Sequence, residues 1–384
     1  MRIFLIFILV VSLYGCKNSE SRNVPSPVEL PENAKSPIAH AKGFEVHITS
    51  DGITVITVKS PWPGADQSFT YALIPKESIA EVSVDSSLFD AVISVPIESL
   101  VVTSTTHIPA LEALGVADHL SGFPGTDYIS SQYTRARVAD GKVINLGKNE
   151  MMNTEMTLRL KPDLIVGFSI SSENKTYETF KRSGIPVVYN GDWTEQTPLG
   201  KAEWVKFFAP FFQMEEKAEI FFDSITEAYQ HAKELAKNAE TIPSVMSGAL
   251  YKDVWYAPGG NSWAAQFIED ANARYLWEDT KETGSLSLSL ESVLAKATNA
   301  DYWVSPSQFT SYTELEKGNS HYLQFDPLKN KKIYTYALSK GETGGLIFFE
   351  IGPNRPDLIL KDLIHIFHPE VLPEHNLFFF KPLQ

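Results

Sequence analysis

The sequence predicts an α/β fold in which two Rossmann-like lobes, each built on a parallel sheet, are joined by one long α-helix with a ligand cleft between them. Two observations support this prediction. Strand and helix patterns follow one another in the same order twice, over residues 89–191 and 244–338. Alternation of this kind is typical of parallel βα units. Between the two stretches runs an uninterrupted helical pattern, which predicts a rigid connection.

The first lobe is expected over residues 38–213. It begins with a strand-rich segment, 40–88, in which FEVHITS (44–50) and ITVITVK (53–59) flank a DG hairpin signal. We expect this segment to pack on the first lobe. The repeat then predicts a strand over 89–104, a helix over 107–115 and a short helix over 153–160. A buried strand over 162–169, a helix over 177–184 and a strand over 185–191 complete it.

The connecting helix is expected over residues 214–239. Residues 215–238 contain no Pro or Gly, and their apolar residues recur with the 3.6-residue period of an amphipathic helix. Such a helix is ~35 Å long at 1.5 Å per residue, enough to run along two lobes. Just before it, 199–212 is expected to be one helix disturbed at Pro210.

The second lobe is expected over residues 240–384. Its predicted elements begin with a strand over 244–258, a helix over 263–277 and a short helix over 290–297. A strand over 300–307, a helix over 311–325, a strand over 330–338 and a closing helix over 355–370 follow. The chain then ends in a Phe-rich tail, LFFFKPL. Such a tail is expected to pack back onto the core, because exposed apolar patches are unfavourable in water.

Composition excludes several classes of function. The net charge of −14 disfavours nucleic-acid binding and adhesion to anionic lipid, both of which need a basic surface. A single cysteine allows neither an intramolecular disulfide nor a Cys-rich zinc site. The G-x-S-x-G, P-loop and H-E-x-x-H motifs of common enzyme classes are missing from the sequence.

The N-terminus has the pattern of an export signal. A positive start precedes an apolar run over residues 3–13, which is too short to span a bilayer. The run ends in LYGC (13–16), which resembles the bacterial lipobox. That resemblance implies a signal peptide over 1–15 and a lipidated Cys16; an ordinary secretory signal with a coincidental cysteine is the alternative. Residues 17–37, rich in Ser, Asn, Glu and Pro, predict a disordered tether that holds the body outside the cytoplasm at a bacterial membrane.

Four further segments resemble one family. They are TSTTHIPALEALG with HLSGF (103–123), GKVINLGKNEMMNTEMTLRLKPDLIVG (141–167), SLSLESVLAKATNADYWV (287–304) and RPDLILKDLIHIFHPE (355–370). They are similar to the signatures of substrate-binding lipoproteins of bacterial ABC importers, in the cobalamin and iron-siderophore family with a single connecting helix. The resemblance runs from about residue 90 to the end and leaves the segment 40–88 unassigned.

The resemblance implies a monomeric receptor that docks on its permease through an acidic side chain on each lobe. In the second lobe the matching position is Glu291; the alternative role is a helix-start carboxylate favoured by the helix dipole. In the first lobe the family has Glu at the start of the first helix, where this chain has His107-Ile108-Pro109. Glu112, one turn further on, is the nearest substitute, with a solvated helix carboxylate as the alternative.

Candidate ligand contacts lie in the loops that follow the predicted strands. Aromatic side chains at such turns suit a flat, conjugated ligand, and guanidinium groups suit an anionic one. The candidates are Thr105, Thr106, His107, Phe123, Tyr128, Asp192, Trp193, Trp255, Tyr256, Asn261, Trp263 and Phe309, with Arg135, Arg137 and Arg355 as possible anion partners. Each could instead serve packing or capping. The cluster at 255–263 is the preferred one.

The predicted ligand is a metal complex of the iron-siderophore type, and cobalamin or haem is the alternative of the same class. No cofactor and no catalysis are expected. Direct binding of zinc or manganese is a further alternative, but the pairs His107/His119 and His365/His368 lack the spacing typical of such sites. An extracytoplasmic enzyme on the same scaffold would require a buried carboxylate–His pair in the cleft. A surface lipoprotein that scavenges without a permease is the last alternative.

Overall fold

The structure is a computed structural model that describes residues 36–384 except 83, 150 and 172. It contains two α/β lobes with parallel sheets, joined by one long helix and separated by a cleft, so the predicted fold class is confirmed. The predicted signal peptide, Cys16 and nearly all of the predicted tether lie outside the described residues.

Eleven strands in the described part of the first lobe form two main sheets. The strands are β1 Phe44–Ile48, β2 Thr54–Val58, β3 Phe69–Pro75, β4 Ala91–Val95, β5 Leu100–Val102, β6 Leu120–Phe123, β7 Ile144–Asn145, β8 Gly147–Lys148, β9 Met151–Met152, β10 Leu164–Gly167 and β11 Val187–Tyr189. The central sheet is parallel in the order β11-β10-β5-β6-β7. The other sheet has the order β1-β2-β3-β4, and β8 pairs with β9.

Helices of the first lobe flank the central sheet. They are α1 His107–Leu114, α2 Gln132–Ala139, α3 Thr154–Leu160, α4 Lys175–Arg182, α5 Pro198–Ala202 and α6 Val205–Phe208. The predicted single helix over 199–212 is wrong, because the chain forms α5, α6 and a 3₁₀ turn, Ala209–Phe211. Pro210 lacks the amide hydrogen that a continuing α-helix would need at that point.

The predicted single strand over 89–104 is also wrong. Its residues form β4 and β5, which belong to different sheets. Pro96 lies between them and cannot donate a ladder hydrogen bond, so the extended segment leaves one sheet there and enters the next. We call residues 36–99 the extension. Its side chains Phe44, Val58 and Tyr71 belong to the same core as β5 and β10, so the extension packs on the first lobe as expected.

Two buried carboxylates hold the start of the extension. The Glu203 carboxylate accepts hydrogen bonds from the backbone N–H groups of Ala39, His40 and Ala41, at 2.9, 2.6 and 2.7 Å. Glu195 accepts from the next two, residues 42 and 43, at 2.9 and 2.7 Å. Five consecutive amides are therefore satisfied without a partner strand.

The connecting helix is α7, Glu215–Ala236. Its buried residues recur every three or four positions along one face: Ala218, Phe222, Ile225, Tyr229, Ala232 and Ala236. The first three belong to the core of the first lobe and the last three to the core of the second lobe. One helical face therefore closes two separate cores.

The second lobe carries eight strands and six helices in the described residues. The strands are β12 Ser244–Ser247, β13 Ala249–Tyr251, β14 Val254–Pro258, β15 Arg274–Tyr275, β16 Ser285–Leu288, β17 Tyr302–Val304, β18 Ile333–Thr335 and β19 Lys381–Pro382. The helices are α8 Trp263–Asp270, α9 Leu290–Ala297, α10 Tyr312–Gly318, α11 Asp326–Lys329, α12 Ile347–Ile351 and α13 Pro356–Phe367. The main sheet has the order β15-β12-β17-β18-β19, with β19 antiparallel, and β13, β14 and β16 form an antiparallel sheet.

Two element predictions in this lobe need correction. The predicted strand over 244–258 is three strands, because Gly248 adopts φ +85° and turns the chain where a Cβ would meet the Tyr256 carbonyl oxygen at 1.9 Å. The predicted helix over 263–277 stops at Asp270, where Asn272 takes a left-handed φ of 56° and the chain continues into β15.

The C-terminal tail packs back onto the second lobe, as expected, and Phe379 and Phe380 are buried. The buried Asp362 carboxylate accepts the backbone N–H groups of residues 378–380. Between residues 36 and 384, as far as they are described, none of the helices combines the length and apolarity that crossing a bilayer requires.

Candidate functional site: a cleft between the lobes

A cleft of about 1060 Å³ separates the lobes at the carboxyl ends of the parallel strands. From the first lobe, loops that follow β5, β6, β7 and β10 line it. From the second lobe, the loops that follow β17 and β18 close the opposite side. Open α/β sheets characteristically bind ligands at this edge, because the loops there converge.

The cleft walls combine hydroxyl and aromatic groups with two lysines. Thr105 and Phe123 line the first-lobe wall, and Tyr128 stands in the cleft with 72% of its surface exposed. Lys148 projects from the first lobe and Lys340 from the second, and both are exposed. Within the described residues neither ammonium group forms a salt bridge. Two cations thus face one cleft from opposite lobes.

An aromatic pocket of about 430 Å³ opens beside the cleft, entirely within the second lobe. Tyr256, Trp263, Tyr336, Phe348 and Phe349 contribute its rings. The Tyr336 and Phe348 rings stack with centroids 4.7 Å apart and an interplanar angle of 15°. Because Phe349 lines both spaces, the pocket and the cleft are neighbours.

A third space, which we call the extension chamber, measures about 570 Å³. Its walls come from the extension, from the loop after β11 and from the second lobe. Trp62, Trp193 and Trp263 line it, one from each of these three parts. Because Trp263 also lines the aromatic pocket, the chamber and the pocket lie on opposite sides of one side chain.

The lobes touch directly at one edge of the cleft. The Glu350 carboxylate of the second lobe accepts the N–H groups of Ser130 (2.6 Å) and Ser131 (2.8 Å), just before α2 of the first lobe. Ser131 also donates its hydroxyl to Glu112. Burial raises the pKa of Glu350 to about 7, the charge of Glu112 adds to the rise, and the two N–H donors oppose it. We call Glu350 with the two N–H groups the interlobe clamp.

The structure separates the sequence candidates into two groups. Thr105 and Tyr128 line the cleft, Tyr256 and Trp263 line the aromatic pocket, and Trp193 lines the extension chamber. Phe123 borders the cleft, but its side chain is buried in the core of the first lobe, so its prediction as a ligand contact is corrected. Trp255 is a correction: its side chain is fully buried, stacks on Trp303 and donates its indole N–H to the Ser247 carbonyl, so it belongs to the core.

The remaining candidates lie outside the walls of these three spaces. The Thr106 carbonyl accepts a hydrogen bond from Asn354, the Asn261 amide donates to the Lys281 carbonyl, and the Phe309 ring packs against Tyr322. The Thr106 hydroxyl is itself hydrogen-bonded to the Ser104 hydroxyl at 2.9 Å. None of the three side chains lines the cleft.

His107 and Asp192 are buried as well. Burial lowers the pKa of His107 to about 4, and the Asp192 carboxylate opposes that shift. Within the described residues no hydrogen bond joins the two side chains, so they are not the carboxylate–His pair that an enzyme would need. Neither residue lines the cleft, the aromatic pocket or the extension chamber. Both side chains are therefore out of reach of a ligand in these spaces.

The three candidate arginines are engaged elsewhere. Arg135 donates to the Thr126 carbonyl, Arg137 pairs with Asp118, and Arg355 makes two hydrogen bonds to Asp357. The cations of the cleft are instead Lys148 and Lys340, which sequence reasoning missed. Each follows a strand of a parallel sheet by a few residues, and that position was a usable signal.

The predicted docking glutamates differ in exposure. Glu291 is exposed in the first turn of α9, whose N-cap is Ser289. Glu112 is half-buried and accepts hydrogen bonds from Ser131 and Thr134 beside the interlobe clamp. Only Glu291 is therefore freely presented to a partner.

Metal-ligating side chains do not converge in the described part of the chain: no group of three or more His, Cys, Asp or Glu there could hold a metal ion. His365 and His368 have structural partners, since their ring nitrogens contact the carbonyls of Leu372 and Asn272.

Comparisons with known proteins agree with this geometry. A family model described as periplasmic binding protein matches residues 100–337. An uncharacterized lipoprotein of Methanocaldococcus jannaschii is 26% identical over 298 residues, which is 75% of this chain and 69% of that protein.

Solved structures show the same fold. One is a possible iron-binding (periplasmic solute-binding) protein from Staphylococcus epidermidis, with a TM-score of 0.55, 20% identity and coverage of 71% of this chain and 99% of that one. Another is the periplasmic heme binding protein HutB of Vibrio cholerae, with a TM-score of 0.53, 16% identity and coverage of 68% and 99%.

The interlobe clamp predicts a specific pH dependence of stability. Because the folded pKa of Glu350 lies above the usual 4.5, the folded state binds more protons than the unfolded state between pH 4.5 and 7. The contribution of this group to the free energy of unfolding therefore falls as pH rises, by up to about 3 kcal/mol at about 1.4 kcal/mol per pKa unit.

Glu350→Gln replaces the titrating carboxyl group with an amide that does not ionise. In urea unfolding at pH 5, 6, 7 and 8, the free energy of unfolding should therefore fall less steeply with pH in the variant than in the wild type. Glu342→Gln, at an exposed carboxyl eight residues away, is the control. Parallel curves for wild type and Glu350→Gln would contradict the assignment.

Proposed function

The chain belongs to the periplasmic binding protein family, and from that premise we propose that it is the substrate-binding receptor of an ABC importer. It captures a metal complex of the iron-siderophore type between its lobes and delivers it to a permease without chemical change. The observation that carries this proposal is the pairing of an aromatic pocket with a cleft that presents Lys148 and Lys340 from opposite lobes.

The donor groups of the cleft suit a ligand that brings its own chelator. Among the described residues that line the cleft and the aromatic pocket, Asp127 alone carries a carboxylate, while hydroxyl and amide groups, rings and two ammonium groups make up the rest of the recognition chemistry. Zinc and manganese prefer imidazole and carboxylate ligands. Ammonium groups and aromatic rings instead favour an anionic complex with flat conjugated parts.

Haem is the second candidate. It is a flat, apolar ring with carboxylate substituents, and the phenol of Tyr128 is exposed in the cleft, where a tyrosine can act as an axial ligand. The periplasmic heme binding protein of Vibrio cholerae shares the fold. A spectroscopic titration separates the two candidates, since haem ligated by tyrosine has its own absorption bands.

The lysine pair gives the first functional prediction. Lys148→Gln and Lys340→Gln should each weaken binding of an anionic ferric tris-catecholate by about tenfold to a hundredfold. The reason is that a hydrogen bond to a charged group contributes about 1.5–3 kcal/mol. Tryptophan fluorescence titration measures the dissociation constants.

Lys281→Gln is the matched control, because Lys281 is exposed and lies outside the cleft. Wild-type affinity in both cleft variants would refute the assigned role of the lysines. Retention of bare zinc together with failure to bind ferric complexes and haemin would refute the proposed function itself.

We further propose that Cys16 carries the lipid that holds the protein at the membrane. A relative named as a lipoprotein supports this assignment. Cys16→Ala should abolish incorporation of radioactive fatty acid and release the protein from the membrane fraction, whereas Ser19→Ala should change neither. Continued labelling of Cys16→Ala would show that the lipid is attached elsewhere.

Docking on the permease is proposed for Glu291, which is exposed at the start of α9. Glu291→Lys should reduce uptake of the ferric complex at least tenfold while leaving its binding to the receptor unchanged, because the residue lies outside the cleft. Glu316→Lys, at an exposed carboxylate on α10, is the control. Full uptake by Glu291→Lys would favour a scavenging lipoprotein that works without this contact.

A further inference from the structure

We propose that the extension chamber is a second ligand subsite, which takes a planar, hydroxylated aromatic group at the periphery of the complex bound in the cleft. This subsite rests on the proposed function, since one ligand occupies both spaces. It assigns to the extension a role in selecting the ligand.

The chamber adjoins the other two spaces at tryptophan side chains. Trp263 lines both the chamber and the aromatic pocket. Trp193 lines the chamber, and its ring centroid lies 5.4 Å from that of Phe168, which lines the cleft. Both tryptophans are only half-buried. These rings are all that the structure shows between the chamber and the neighbouring spaces, and the proposal places the peripheral group of the ligand beyond them.

The lining of the chamber indicates the chemical class of the group that fits. Three tryptophans supply ring faces and edges, which favour an aromatic group in a stacked or edge-to-face arrangement. The hydroxyl and amide side chains of Ser60, Gln196 and Thr283 supply hydrogen-bonding groups around them. A ring that bears hydroxyl groups satisfies both sets. The volume of about 570 Å³ falls within the ordinary range for a small-molecule site.

The wall contributed by the extension is held firmly in place. Trp193 donates its indole N–H to the Pro61 carbonyl at 3.2 Å, and Thr194 donates its hydroxyl to the Ser60 carbonyl at 3.0 Å. The contact is so close that a Cβ at Gly191 would meet the Ser60 carbonyl oxygen at 2.7 Å. The shape of the chamber is thus set before any ligand arrives, which lowers the entropic cost of binding.

Lys201 joins the chamber walls of the two lobes. Its buried ammonium group donates to the carbonyls of Asp192 and Trp193 at 3.1 and 3.2 Å. The same group lies 5.1 Å from the centroid of the Trp263 ring in the second lobe, a cation–π contact. The position of Trp263 relative to Trp193 is therefore fixed by a specific interaction across the lobe interface.

The family model begins at residue 100, so the wall formed by residues 60–65 lies outside the part of the chain that matches it. If this wall contacts the ligand, the ligand preference of this chain differs from that of relatives that consist of the matched part alone. A compact ligand fills only the cleft and the aromatic pocket, whereas an extended one gains the tryptophan contacts of the chamber.

Filling the chamber tests the proposal. Gly284 lines it, is exposed, and a Cβ there would meet no atom within 4 Å, so Gly284→Trp can be made without disturbing the fold. Thr283→Trp, at the adjacent exposed position, is a second filling variant. Ser287→Trp is the control, because Ser287 is exposed and lines none of the three spaces.

The probes are the ferric complexes of two linear tris-catecholates, one that carries a pendant phenol not bound to the iron and one that lacks it, titrated against each protein by calorimetry. We expect the filling variants to weaken binding of the phenol-bearing complex at least tenfold and to leave binding of the complex without the phenol unchanged. Equal effects on both probes, or none on either, would overturn the subsite and leave the proposed function standing. If the wild-type protein binds neither probe, the ferric-catecholate function is itself wrong and the subsite falls with it.

Discussion

Burial of one face of α7 in two cores is the constraint on which the arrangement of the lobes depends. Ala218, Phe222 and Ile225 complete the first core, and Tyr229, Ala232 and Ala236 complete the second. Because the helix is continuous over 22 residues, neither lobe can rotate freely without exposing apolar surface. The buried Asp270 carboxylate strengthens the second half by pairing with Tyr229 and Lys233. Lobe motion is therefore restricted to small adjustments about a rigid element.

Buried carboxylates perform a second structural task, which is to hold segments that lack a strand partner. Glu203 and Glu195 accept the amides of residues 39–43, Asp362 accepts those of 378–380, and Glu350 accepts those of 130 and 131. A carboxylate has several lone pairs on two oxygens, so one side chain can satisfy two or three neighbouring N–H groups. In the first three cases the held segment belongs to one lobe. Glu350 differs because its donors belong to the other lobe, so its ionisation affects the cleft as well as the fold.

Periodicity and element order made the architecture predictable, whereas local backbone conformation limited the detail. The 3.6-residue repeat was sufficient for α7 because its buried face is regular. The division of 89–104 into β4 and β5 occurs around Pro96, and the apolar pattern on both sides of Pro96 is that of a single strand. Within 255–263, Trp255 and Tyr256 are adjacent on β14, so their side chains must point to opposite faces of the strand. They could not both line one pocket, and only the fold decides that the tryptophan faces the core. The arginines predicted as anion partners are not available to a ligand, because nearby carbonyl oxygens and aspartates bind their guanidinium groups.

The types of side chain along the lobe interface explain why the cleft suits a metal complex better than a bare metal ion. Among the described residues, Glu350 and His368 are held in structural contacts, His107 and Asp192 are buried, and Asp127 is the one carboxylate that lines the cleft. The accessible walls instead present rings, hydroxyl groups and two ammonium groups. Such walls recognise the outside of a chelate, where charge and aromatic surface are displayed, and leave the metal to the chelator. Residues 60–65 of the extension add a further wall beside these spaces from outside the matched part of the chain, which begins at residue 100.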